Sequence, residues 1–130
     1  MVRKRVLIVD DEVDFIEILK VRLESNNCEV ITANNGKEAL ERIKKDKPNA
    51  VLLDIMMPEL DGLTVLKRIR QTDATLPVFF ITAFSNEERI KIAGGLNASG
   101  YIVKTQDLGV KVKEIVDFID IAEKAKGKSA

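Results

Sequence analysis

Ala50 to Leu53 is a short, wholly apolar run without polar alternation, the pattern of a central strand in a parallel sheet covered on both faces. A carboxylate, Asp54, follows at once. Pro58 and the turn-type pair Asp61-Gly62 prevent the strand from continuing, so Asp54 falls where strand gives way to loop. Upstream, Arg5 to Val9 predicts a first strand. The acids Asp10, Asp11 and Glu12 then suit the start of a helix whose core positions are expected at Phe15, Ile18, Leu19 and Leu23. Ser25-Asn26-Asn27 ends that helix. Glu29 to Ala33 predicts the second strand, and Asn35 with Glu38 resembles a capping box before a helix carrying Ala39, Leu40 and Ile43.

Beyond Gly62, Leu63, Leu66 and Ile69 share one helical face, and Pro77 to Ile81 predicts a fourth strand. Ser85 with Glu88 opens a short fourth helix, weakened by Gly94-Gly95. Tyr101 to Val103 supplies a fifth strand. A last helix is expected from Leu108 to Ala122, with Leu108, Val112, Ile115, Phe118, Ile119 and Ala122 at helical spacing. Strict alternation of strand and helix implies an α/β fold: a five-stranded parallel sheet in the order 2-1-3-4-5. Right-handed crossovers then place helices on both faces, a flavodoxin-like doubly wound three-layer sandwich. Residues 1–124 are expected to form one domain and residues 125–130 a frayed tail or linker stub.

Composition narrows the function. The chain has 21 Lys plus Arg against 21 Asp plus Glu, so net charge gives no argument for nucleic acid or an anionic membrane. Cys28 is the only cysteine, which rules out an internal disulfide and fits a reducing cytoplasm. No apolar stretch approaches the length of a membrane span, so no membrane insertion is expected.

The chemical signal emerges from the carboxyl ends of the strands. Strand one ends in Asp10-Asp11, strand three in Asp54, strand four in Thr82 and strand five in Lys104. Each has a plain structural explanation: a helix cap for Asp10 or Asp11, a turn residue for Thr82, a surface lysine for Lys104. In the proposed strand order, however, all of them converge on one edge. Clustered carboxylates repel one another unless a cation holds them, and a hard divalent ion such as Mg²⁺, bound by a few carboxylates with a loop carbonyl and water, fits that need. With Thr82 as a hydroxyl donor and Lys104 as a mobile charge, the set suits a phosphoryl group carried on a carboxylate.

The segments Val9-Asp10-Asp11-Glu12, Leu53 to Gly62, Ile81-Thr82-Ala83 and Tyr101-Ile102-Val103-Lys104 resemble the signature of receiver domains of two-component response regulators, over about Arg5 to Ala122. That resemblance implies Asp54 as phosphoacceptor, charged by the phosphohistidine of a histidine kinase or histidine phosphotransfer protein. It implies Mg²⁺ held by Asp10, Asp11, Asp54 and the Met56 backbone carbonyl. Lys104 would pair with Asp54 and later with the phosphoryl oxygens, Thr82 would turn towards that group, and Tyr101 would be the aromatic switch. The readout would lie on the fourth helix, fifth strand and fifth helix. Tyr101 also fits a half-buried strand aromatic with no such role.

The chain departs from the family pattern at Thr105, where proline commonly follows the lysine; a trans Lys104–Thr105 bond is expected, with Thr105 or Asp107 capping the last helix. The chain ends shortly after that helix, which reads as a stand-alone receiver or one cut from a longer protein. Such a module is not a dedicated enzyme. It would catalyse its own phosphorylation and a slow self-dephosphorylation, because the positions that would orient the attacking water hold Met56 and Phe84. Phe84 could equally pack on the fourth helix. Two rival functions are an interaction module without phosphorylation, and an aspartate-nucleophile phosphatase, which wants a second acid where Met56 stands.

Overall fold

A computed structural model describes residues 3–57, 59–83, 91, 95, 97–105 and 107–128. Its strands are β1 (Lys4–Val9), β2 (Cys28–Ala33), β3 (Ala50–Asp54), β4 (Val78–Thr82) and β5 (Gly100–Val103). The helices are α1 (Val13–Ser25), α2 (Gly36–Asp46), α3 (Gly62–Thr72) and a C-terminal helix, Leu108–Lys128. All pairings are parallel and the sheet order is β2-β1-β3-β4-β5, as expected.

The sheet separates two apolar clusters. Alternate strand residues Val6, Ile8, Ala50 and Leu52 face α1 and the C-terminal helix, packing on Leu19, Leu23, Val112, Ile115 and Ile119. Their neighbours Leu7, Val9, Val51 and Leu53 face α2 and α3, packing on Ala39, Val65, Leu66 and Ile69. With both faces covered, every residue of β3 and β4 is buried, whereas the edge strands β2 and β5 are only partly so.

Several local expectations change. In α1 the buried positions are Phe15, Ile16, Leu19 and Leu23, while Ile18 is exposed. Ile16 and Ile18 both fit helical spacing, and the crossing of α1 on the sheet selects Ile16. In α3 the fully buried positions are Val65, Leu66 and Ile69, with Leu63 only partly buried. The C-terminal helix continues past Ala122 to Lys128, so helical backbone occupies most of the segment expected to fray.

Caps account for the ends. Asn35 Oδ1 accepts from Glu38 N–H at 2.8 Å, and Asp61 caps α3 by accepting from Thr64 N–H at 2.9 Å. The reciprocal half of the box is displaced by one residue, since the Glu38 carboxylate accepts from Asn34 N–H at 3.4 Å. Of the two candidates before the C-terminal helix, Asp107 does the capping, accepting from Gly109 N–H at 2.9 Å. No peptide bond among the described residues is cis, Lys104–Thr105 included. Of the expected fourth helix, Ser85, Glu88 and Gly94 lie outside the described residues, while Lys91 and Gly95 are helical.

Candidate phosphoacceptor site

Strand register sets the site. Val9 lies opposite Leu53, Asp54 opposite Ile81, and Thr82 opposite Val103. Asp10, Asp54, Thr82 and Lys104 therefore end their strands within one residue of the same level. Three of these, Asp10, Asp54 and Thr82, are buried polar residues, while Asp11 is exposed.

The loop after β3 is folded tightly around Asp54. Met56 N–H donates to Asp54 Oδ1 at 3.0 Å, which fixes the carboxylate's rotation. Ile55 N–H donates to Ile81 O at 3.1 Å, tying the chain to β4 just past Asp54, and Gly62 N–H donates to Ile55 O at 3.0 Å, closing the loop on itself. A Cβ on Gly62 would lie 2.3 Å from the Asp54 carbonyl oxygen, so only glycine permits this approach. Asp61-Gly62, expected as a turn, thus starts α3 and braces the end of β3.

Lys104 reaches across the edge from β5. Its Nζ contacts the Glu12 carboxylate most closely, lies 3.1 Å from Asp10 Oδ2, and is 4.0 Å from Asp54 Oδ2. It also sits 4.9 Å from the centre of the Phe15 ring. The expected Lys104–Asp54 pairing is therefore the longest of three, and the ammonium is shared mainly with Asp10 and Glu12. Glu12 and Phe15 are the residues that reading the strand ends overlooked. The available signal was a third consecutive acid, one more than the acid pair and an ordinary helix cap require. Its side chain makes no cap hydrogen bond to α1.

One carboxylate oxygen from each of Asp10, Asp11 and Asp54 lies within 4.8 Å of the others. Asp10 Oδ1 accepts from Glu12 N–H at 2.9 Å, whereas the buried Asp10 Oδ2 has the ammonium beside it but no hydrogen bond. An all-oxygen donor set with one buried, unbonded oxygen fits a hard divalent cation. Burial, then repulsion from Asp10, pushes the Asp54 carboxyl up to about 7, although Met56 N–H and Lys104 oppose this. Burial pulls the Lys104 ammonium down, but Glu12, Asp10 and Asp54 outweigh it and hold Lys104 above its usual range.

Thr82 closes β4 and is buried. Tyr101 is 41% exposed and Met56 is 60% exposed. Phe84 lies outside the described residues.

The sequence profile of the family described as the response regulator receiver domain matches residues 6–116. Among curated relatives, the alkaline phosphatase synthesis transcriptional regulatory protein PhoP of Bacillus subtilis is 37% identical over 123 residues, covering 92% of this chain and 51% of PhoP. The response regulator MprA of Mycobacterium leprae is 46% identical over 79 residues, 61% of this chain and 35% of MprA. The chain thus spans about half the length of these relatives, or less. A response regulator receiver domain protein (CheY-like) from Methanospirillum hungatei superposes with a TM-score of 0.88 at 27% identity, covering 95% of this chain and 99% of that one. The BeF3-activated receiver domain of Klebsiella pneumoniae RstA gives a TM-score of 0.83 at 26% identity, covering 89% and 98%. Parallel topology, acidic strand ends and a family match over most of the sequence lead to one conclusion: the chain belongs to the response regulator receiver domains of two-component signalling.

Proposed function

We propose that Asp54 accepts a phosphoryl group from the phosphohistidine of a partner histidine kinase or phosphotransfer protein, with Mg²⁺ held by Asp10, Asp11, Asp54 and the Met56 carbonyl. The observation that carries this reading is the meeting of three carboxylate oxygens within 4.8 Å beside Lys104 Nζ. An Asp54 carboxylate oxygen attacks phosphorus, a P–O bond forms, and the N–P bond to the donor imidazole breaks. Met56 N–H keeps the carboxylate oriented for this attack. When bound, the cation supplies positive charge against the phosphoryl oxygens. Lys104, on a flexible stem, moves towards the new charge, and the Thr82 hydroxyl donates to it. Tyr101, exposed before transfer, turns inward as Thr82 moves and carries the change to the outer face of β5 and the C-terminal helix.

Among the described residues no helix is long and apolar enough to cross a membrane. We place the module in the cytoplasm, where kinase and phosphodonor meet, as one domain over residues 1–124. The test is incubation with Mg²⁺ and a small acyl phosphate, followed by intact mass and peptide mapping. One phosphoryl group on Asp54, lost in Asp54→Asn and in EDTA, is expected. Wild-type labelling rates in either control would refute the assignment.

A further inference from the structure

We propose that Glu12 is a positioning residue for Lys104: it holds the ammonium on the α1 side of the acidic cluster until a phosphoryl group on Asp54 draws it away. The inference rests on the reading of Asp54 as phosphoacceptor.

Three carboxylates surround one ammonium, and they are not equivalent. Asp10 is buried and anchored by Glu12 N–H, and Asp54 is buried and anchored by Met56 N–H. The Glu12 carboxylate has Lys104 as its only partner among the described residues, and it makes the closest of the three contacts. Glu12 stands at the N-cap of α1, yet its side chain caps nothing. Its backbone, by contrast, is pinned: N–H donates to Asp10 Oδ1, and C=O accepts from Ile16 N–H at 3.1 Å. A fixed backbone therefore places a carboxylate that caps nothing against Lys104, and the Phe15 ring, about one helical turn on, lies 4.9 Å from the same ammonium. Lys104 is 13% exposed but the Glu12 side chain is 62% exposed, so water screens the contact from the Glu12 side and keeps it weak enough to exchange. That weakness suits a hold which must yield when Asp54 becomes a more highly charged acyl phosphate.

Glu12→Gln keeps the shape and removes the charge. Labelling of Asp54 by a small acyl phosphate with Mg²⁺ should then rise about two- to fivefold, as expected from releasing a weak surface pair. In a Lys104→Gln background the same change should give no gain. A gain of equal size there would overturn the proposal, because it would show that Glu12 merely repels the anionic donor. The Lys104 Cε and Nζ resonances, read in the unlabelled protein, should shift in Glu12→Gln. In wild type they should shift again when beryllofluoride is added as a phosphoryl mimic. Unmoved resonances in a protein whose Asp54 is normally labelled would overturn this inference alone. Failure to label wild-type Asp54 would remove the proposed function and the inference with it.

Discussion

At Asp54, titration and stability are linked. Its folded value of about 7 lies above the ordinary 3.8, so below pH 4 the folded and unfolded chains both hold the proton. Between about pH 4 and 7 the unfolded chain releases it first, and stability falls as pH rises. In EDTA, the unfolding free energy of wild type, read from urea titrations, should decline across that window by an amount on the order of a few kcal/mol. Asp54→Asn should flatten the decline; an equally steep profile in the variant would assign the loss to another group. Met56 bears on the lifetime of the acyl phosphate, since its exposed thioether offers an attacking water no good hydrogen bond. Met56→Asn should speed phosphoryl loss about tenfold, equivalent to about 1.4 kcal/mol, measured by decay of the labelled mass. The residues that would bear the chemistry were legible because each closes an apolar strand. Glu12 was not, because a carboxylate before a helix already has an ordinary explanation, and its link to Lys104 crosses 92 positions of sequence.

At the level of elements, strands were more legible than helix faces. The apolar run Ala50–Leu53 is too short for a buried helix and so reads as a strand, whereas α1 offers Ile16 and Ile18 at comparable spacing, and only packing against the sheet chooses between them. The end of the C-terminal helix was not legible either: Lys124 onward has no apolar periodicity, yet the helix continues to Lys128 through Gly127, with no proline to stop it. The C-cap of α2 carries a cost. Lys47 has φ 48°, the left-handed region that glycine enters freely. Lys47→Gly relieves about 1–2 kcal/mol of left-handed strain but adds about 0.4–1 kcal/mol of unfolded-chain entropy, so it should stabilise the protein by about 0.5–1 kcal/mol in chemical denaturation. A loss of stability would mean that the lysine stem contributes more packing than its backbone strain costs.

For the molecule as a whole, alternating strand and helix made the parallel α/β class legible, and the order 2-1-3-4-5, one of two common for such alternation, is the one observed. The division of the core did not show, because it depends on which residue of each strand faces which layer. The sheet stands between the two clusters, so Ile115→Val on one side and Ile69→Val on the other should each cost about 0.5–1.5 kcal/mol. Their sum should match the double variant within about 0.5 kcal/mol. A larger mismatch in urea titrations would reveal strain passing through the strands. The convergence of four strand ends has a further consequence. Asp10 and Lys104 are 94 positions apart in the chain, so an unfolded molecule possesses none of the arrangement that activates Asp54. Phosphoryl uptake is then a census of folded molecules. Under partial denaturation the labelled fraction should follow the native fraction, and a damaged copy would drop out of signalling before any protease removed it.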